Sequence, residues 1–289
     1  MPEKLSKTDW QHLLDRIKAG NCTPFIGAGA SSPPLRLGAD IARQWSKDSK
    51  YPLDDSHDLA RVAQYRAIYE DDSIKPKEDI AKAIRAAAPP DFSDPDEPHA
   101  VLAGLKLPVY ITTNYDDFMT GALRAQGKDP RLELCRWNDY VRKYVKSPLA
   151  KGRYDPSDTK PVVFHLHGHV DTPQSLVLTE DDYFDLLAQI GERRSPIPLR
   201  IQRSLAGASL LFLGYRIVDW DFRVLFRIIH TSLTNNIRPS HISVQMAPVR
   251  SPRRATAARR YLDSYFRRLD VRIYWGTARE FVHDLRERL

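Results

Sequence analysis

The sequence predicts an α/β fold: a Rossmann-like, mostly parallel sheet with helices on both faces, plus a smaller helical module. Three observations predict it. Segments with helical apolar spacing alternate with short apolar runs, the pattern of strands joined by helical crossovers. Four of the apolar runs end in glycine or small polar residues, where α/β sheets bind ligands. The chain has 289 residues and is 42% hydrophobic, enough for one large α/β domain or a core with an inserted module.

The elements follow in order. Trp10, Leu13, Leu14 and Ile17 recur at i, i+3, i+4 and i+7, with Ser6 or Thr8 as caps and Gly20 at the stop, so the first element is a helix. "CTPFIGAGAS" reads as a short buried strand running into a glycine turn. Helices are expected near 38–48, 56–70 and 77–88, before Pro89, Pro90, Pro95 and Pro98 break the chain. "HAVLAGL" restarts a helix, and "PVYITTNYDDFM" is an apolar strand ending in polar residues. "LELCRW" and "PVVFHLHGH" are strand candidates, and "TEDDYFDLLAQI" is a capped helix. "ASLLFLGY" is a strand, followed by a helix from about Trp220 to Ser232. "HISVQMA", a helix over 252–268, "VRIYWG" and a helix over 277–288 complete the pattern. The expected organisation is one domain over 1–289. Its Rossmann-like core takes about 1–36, 100–136 and 160–289, and its helical module about 37–99 and 137–159.

Composition removes several classes of function. No run reaches roughly 18 apolar residues, so no membrane span is expected. The first twenty residues lack an apolar signal core, which argues against secretion. Two cysteines, Cys22 and Cys135, fit a reducing cytoplasm and exclude a four-cysteine zinc module in this chain. The net charge of +7 is concentrated at the end: residues 250–289 hold eleven Arg, no Lys and five acids. Without interleaved exposed aromatics or a nucleic-acid-binding motif, this tail reads as solvated helix faces whose Arg stems cover apolar surface. Direct nucleic-acid binding is not expected.

Four strand ends carry the candidate chemistry. Gly27-Ala28-Gly29-Ala30-Ser31 lets the backbone approach a phosphate, but Ser32 breaks the full G-x-G-x-x-G fingerprint, so a tight structural turn is an equal reading. Thr112-Thr113-Asn114-Tyr115-Asp116-Asp117 offers groups for a ribose or an amide, or equally a helix cap. "FHLHGHVD" places His165, His167 and His169 at alternate positions with Asp171 beyond, which reads as metal ligands or as one catalytic base with packed neighbours. Gly214 ends the fourth run, and Asp219 opens the following helix as a ribose ligand or an N-cap.

Together and in this order, these motifs resemble a sirtuin-like NAD-binding core, above all the prokaryotic sirtuin-like proteins of antiphage defence. The resemblance runs from "PFIGAGAS" through "YITTNYDDF" and "FHLHGH" to "LFLGYRIVDWDF" and "RIYWGTAREFVHDL". It implies that Gly27, Ala28, Gly29 and Ser31 form the phosphate and ribose loop. It implies that Asn114, with Thr113 beside it, serves the nicotinamide ribose or a water, and that Asp116 holds the nicotinamide carboxamide. His167, before Gly168, takes the place of the catalytic histidine, and Gly214 and Asp219 fall in the adenosine-side loop. Two departures point away from peptide deacylation: the absent zinc module, and "SSPPLRLGAD" in place of the G-I-P-x-F-R stretch, where Arg36 alone has a counterpart.

The expected function is therefore an NAD+ glycohydrolase that releases nicotinamide and ADP-ribose, with NAD as substrate and no metal required. The resemblance implies a cytoplasmic effector of antiphage defence that acts by NAD depletion. It also implies control by homo-oligomerisation or by a separately encoded HerA-type ATPase or Argonaute-like partner. Two alternatives stand beside it: a subunit that binds NAD or ADP-ribose without cleaving it, and a metal-dependent hydrolase built on His165, His167, His169 and Asp171.

Overall fold

The computed structural model describes residues 5–36, 38–149, 154–190, 195–215, 223–224, 226–227, 240–246 and 252–289. Among these residues lies one seven-stranded, wholly parallel sheet in the order β3-β4-β2-β1-β5-β6-β7. Its strands are β1 (Cys22–Ile26), β2 (Val109–Thr112), β3 (Arg131–Leu134), β4 (Val162–His165), β5 (Ser209–Leu213), β6 (His241–Gln245) and β7 (Val271–Trp275). Each overlaps a segment that predicted it, although β3 stops at Leu134, short of the end of the strand expected over "LELCRW". β1 is central although it contains Pro24, which has no N–H to donate. Its ladder to β5 runs over all five residues, while its ladder to β2 begins only at Phe25, beyond the proline.

Side chains alternate across the strands and so feed two cores. On one face Ile26, Tyr110, Val163 and Leu211 pack with α1 (Lys7–Lys18), α5 (Pro98–Gly104), α6 (Phe118–Ala125) and α11 (Ala278–Arg286). On the other, Phe25, Ile111, Phe164 and Phe212 pack with α8 (Glu180–Ile190), α9 (Leu199–Gly207) and α10 (Pro252–Arg267). Each such large side chain, fully buried, contributes roughly 1.5–3 kcal/mol. α1 forms where its periodicity predicted, with Ser6 and Asp9 closing a capping box and Trp10, Leu13, Leu14 and Ile17 buried. Two tail arginines cover aromatic surface, Arg259 over Trp275 and Arg288 over Trp10.

A third core lies beside the sheet. It joins Ala63 of α3 (Leu59–Tyr69) and Ile80 and Ala81 of α4 (Lys75–Arg85) to Val170, Leu176 and Leu178, and Trp45 of α2 (Gly38–Ser49) packs against it. A buried ion pair fastens it: Lys77 Nζ lies 2.7 Å from Asp182 Oδ1, at the start of α8. The segment over 137–149, with α7 (Asp139–Tyr144), packs instead through Trp137, Val141 and Leu149, two of which touch the main core.

Three expectations need adjustment. The strand expected over "PVVFHLHGH" ends at His165, so the three histidines do not share one strand face. Gly168 turns the chain there with φ +88°, and a Cβ at that position would lie 2.2 Å from the Ser175 carbonyl oxygen. The short helix α9 was not expected from the sequence, and α7 falls in the 137–159 segment read as part of the helical module without having been delimited there. The helix predicted over about 220–232 falls mostly, and Asp219 wholly, outside the described residues.

Candidate functional site

The chain order reverses between β1 and β5: β2 and β4 lie to one side, β6 and β7 to the other. Such a switch point opens a crevice at the carboxyl ends of the strands. The Gly27–Ser31 loop leaves β1 there, and β5 delivers Gly214. The two segments are in backbone contact: Gly27 N–H donates to Leu213 O at 2.8 Å, and Gly29 N–H donates to Gly214 O at 2.9 Å. Gly214 has φ +81°, and a Cβ on it would lie 2.4 Å from Ala30 N. Only glycine fits that close approach.

The loop turns through a single 3-10 turn, Ala28–Ala30. Ala30 N–H bonds Gly27 O and Ser31 N–H bonds Ala28 O. With Gly27 and Gly29 engaged on β5, the loop N–H left for an anion is that of exposed Ala28.

The β2 loop closes over this turn. Asn114 is buried and its amide nitrogen donates to Gly27 O at 3.2 Å and to Ser31 Oγ at 2.9 Å. Ser31 Oγ in turn donates to Asp116 Oδ2 at 3.0 Å, and Phe118 N–H donates to Asp116 Oδ1 at 3.0 Å. Burial raises the Asp116 carboxyl above the usual carboxylate range, against the opposing field of His99 and these hydrogen bonds. Both amide hydrogens of Asn114 are used, so its Oδ1 is the acceptor that remains.

Thr113 is engaged differently. Its hydroxyl lies 2.7 Å from the Tyr215 hydroxyl, which donates to Ile26 O at 3.1 Å. Thr113 therefore donates to Tyr215. The Tyr215 ring also covers Gly27, where an added Cβ would meet it at 3.0 Å. Tyr215 directly follows Gly214, and the sequence carried no signal that its phenol reaches back to β1 and β2.

The three histidines diverge. His165 and His169 form an edge-to-face pair with ring centroids 4.8 Å apart, and His165 Nδ1 lies 3.2 Å from Asn114 O. His169 Nε2 lies 3.8 Å from Asp117 Oδ1, and its Nδ1 lies 3.7 Å from Asp171 Oδ2. His167 instead packs edge-to-face on Tyr183 of α8, with centroids 5.2 Å apart. Among the described residues, no three His, Cys, Asp or Glu side chains converge as a metal shell would require. Burial lowers both His165 and His167 to about 3, so both rings are neutral at physiological pH.

The site thus joins Gly27, Gly29, Ser31, Asn114, Asp116 and Gly214 in one bonded cluster, with Ala28 at its surface and Thr113 beside it under Tyr215. His167 is on the adjoining strand end, with its ring against α8. No helix among the described residues is long and apolar enough to cross a membrane.

Comparison with known proteins gives a consistent picture. The chain matches the family described as SIR2-like domain over residues 108–269, more than half its length. The "NAD(+) hydrolase ThsA" of Acinetobacter baumannii (strain 532279) is 25% identical over 231 residues, covering 78% of this chain and 43% of that protein. The "NAD(+) hydrolase ThsA" of Enterococcus faecium is 27% identical over 241 residues, covering 80% of this chain and 44% of that one. That of Cytobacillus dafuensis is 28% identical over 220 residues, covering 75% and 40%. The chain therefore spans less than half the length of these relatives.

Proposed function

Because the chain belongs to the SIR2-like domain family, we propose that it is an enzyme that hydrolyses NAD+ at the nicotinamide–ribose bond. Water enters; nicotinamide, ADP-ribose and a proton leave. The observation that carries this reading is the Asn114 amide bridging Gly27 O and Ser31 Oγ, with Asp116 on the same serine. It joins the glycine loop after β1 to the polar loop after β2 at the sheet's switch point. Relatives named NAD(+) hydrolase support the same chemistry.

The leaving group departs from a cationic pyridinium as a neutral amide, so the protein's task is positioning and stabilisation of an oxocarbenium-like ribose. Asp116 orients the nicotinamide carboxamide. Asn114 Oδ1, the acceptor left over in the cluster, holds the attacking water or a ribose hydroxyl. His167 accepts a proton as the sugar's charge is quenched. The Ala28 N–H meets the pyrophosphate, and Gly214 keeps the loop in place. No step in this scheme requires a metal.

The same reading makes the protein a cytoplasmic effector of antiphage defence that depletes NAD. It acts as a homo-oligomer or with a separately encoded HerA-type ATPase or Argonaute-like partner, and the Arg-rich tail offers a contact surface. The reading treats 37–99 and 137–159 as a helical module on a Rossmann-like core within one domain. The test is direct: incubate the chain with NAD+, with and without its genomic neighbour, and resolve nicotinamide and ADP-ribose by chromatography. Intact NAD+ under both conditions would overturn the proposal.

A further inference from the structure

We propose that His165 is a positioning residue for Asn114, and that His169 holds it in the tautomer that does this. The kinetic part of the inference rests on the hydrolase reading above; the structural part does not.

Asn114 is fixed from four directions. Its N–H donates to Thr112 Oγ1 at 2.9 Å, and its side-chain amide is fixed by Gly27 O and Ser31 Oγ. Its carbonyl is met by His165 Nδ1 at 3.2 Å. A carbonyl oxygen only accepts, so Nδ1 of His165 carries the hydrogen. His165 is the last residue of β4 and pairs in register with Thr112, which places its ring beside the chain leading into Asn114. Without that donor, the peptide after Asn114 loses its anchor and the Oδ1 acceptor loses its aim.

The tautomer is selected by the neighbouring ring. Asp171 N–H donates to His169 Nδ1 at 3.2 Å, so neutral His169 carries its hydrogen on Nε2. The Nε2 atoms of His165 and His169 are both buried without a hydrogen-bond partner, within one edge-to-face pair. With hydrogen on Nδ1, His165 carries a lone pair at Nε2 beside a ring that carries its own hydrogen on Nε2. The Asp117 carboxylate, 3.8 Å from His169 Nε2, favours a hydrogen on that nitrogen. The opposite tautomer of His165 would set a lone pair against the Asn114 carbonyl and a second ring N–H into the edge-to-face pair.

Two measurements test this. Selective 15N labelling of the nine histidines reads each ring's tautomer in the folded full chain, with His165→Leu identifying the His165 signal. The expected result is hydrogen on Nδ1 for His165, and a mixed signal for it in His169→Leu; hydrogen on Nε2 of His165 in the wild type would overturn the proposal. For nicotinamide release, His165→Leu is expected to lower kcat at least about tenfold with KM for NAD+ changed less than about threefold. His165→Asn, whose amide N–H takes the place of Nδ1, is expected to recover kcat to within about threefold of wild type. A folded His165→Leu with wild-type kcat, or a folded His165→Asn no better than His165→Leu, would overturn the positioning role. If His165→Leu does not fold, His169→Leu identifies the ring by its changed signal, and the wild-type tautomer decides. A wild-type chain that releases no nicotinamide removes the hydrolase reading and leaves the same tautomer measurement to decide this one.

Discussion

Asn114 and Ser31, 83 residues apart in sequence, are joined by a buried 2.9 Å hydrogen bond from the asparagine amide to the serine hydroxyl. That bond closes the β2 loop onto the β1 loop. Asn114→Ala leaves Gly27 O without this donor and breaks the bridge to Ser31, at a cost of about 1–3 kcal/mol. The expected outcome is a lower Tm together with loss of nicotinamide release by about a hundredfold or more, read by thermal melting and by chromatography. An active Asn114→Ala chain would separate the bridge from the chemistry.

Gly214→Ala tests the contact between the two glycine segments. Its Cβ would fall 2.4 Å from Ala30 N, and φ there is +81°. The substitution is expected to destabilise the fold by about 2 kcal/mol or more and to weaken NAD+ binding. Gly207→Ala is the control, because a Cβ there meets nothing within 4 Å. Denaturant unfolding of the two variants, with NAD+ titration, gives the comparison.

Acid should destabilise the protein through its buried imidazoles. His165 and His167 are held near 3 by burial, while in the unfolded chain each titrates near about 6.5. Between those values the unfolded state binds more protons, so stability falls as pH drops below about 6.5 and is unaffected by these rings above it. Each ring adds up to roughly one proton to the slope, about 1.4 kcal/mol per pH unit. Urea unfolding at pH 7, 6 and 5 should show a shallower pH dependence in His165→Asn than in the wild type.

Lys77 and Asp182 pin α4 to α8, next to the Tyr183 ring that supports His167. Both members of the pair are largely buried. Lys77→Met removes the counter-charge of an Asp182 carboxylate that also accepts from the Leu178 and Thr179 N–H groups, and is expected to cost about 3–5 kcal/mol; Asp182→Leu frees those two buried donors as well, so Lys77→Met/Asp182→Leu recovers little of it. A double-mutant cycle by chemical denaturation measures the coupling.

Much of this architecture was legible in the sequence, for physical reasons. Strands buried on both faces are continuous apolar runs, and β2, β4 and β5 lie on such runs, whereas the edge strand β3, Arg131–Leu134, is apolar only at alternate positions. The loops of the candidate site were legible as glycine and small polar residues at strand ends. The end of β4 was not. His165, His167 and His169 fit a period of two, but β4 ends at His165 and Gly168 turns the chain, so that His169 pairs with His165 while His167 packs on Tyr183. α7 and α9 bury only Val141 in one case and Ile201 and Leu205 in the other, too few for a helical period to show. The reach of Tyr215 to Thr113, and of His165 to the Asn114 carbonyl, depends on which strands are neighbours, and no local pattern records that.

The most direct measurement is a time course of NAD+ with purified wild-type, Asn114→Ala and His167→Ala chains, each verified as folded and each assayed with and without the genomic neighbour. The account predicts equal amounts of nicotinamide and ADP-ribose from the wild type and almost none from either variant. Cleavage by folded His167→Ala at the wild-type rate, or NAD+ left intact by the wild type throughout, would contradict it.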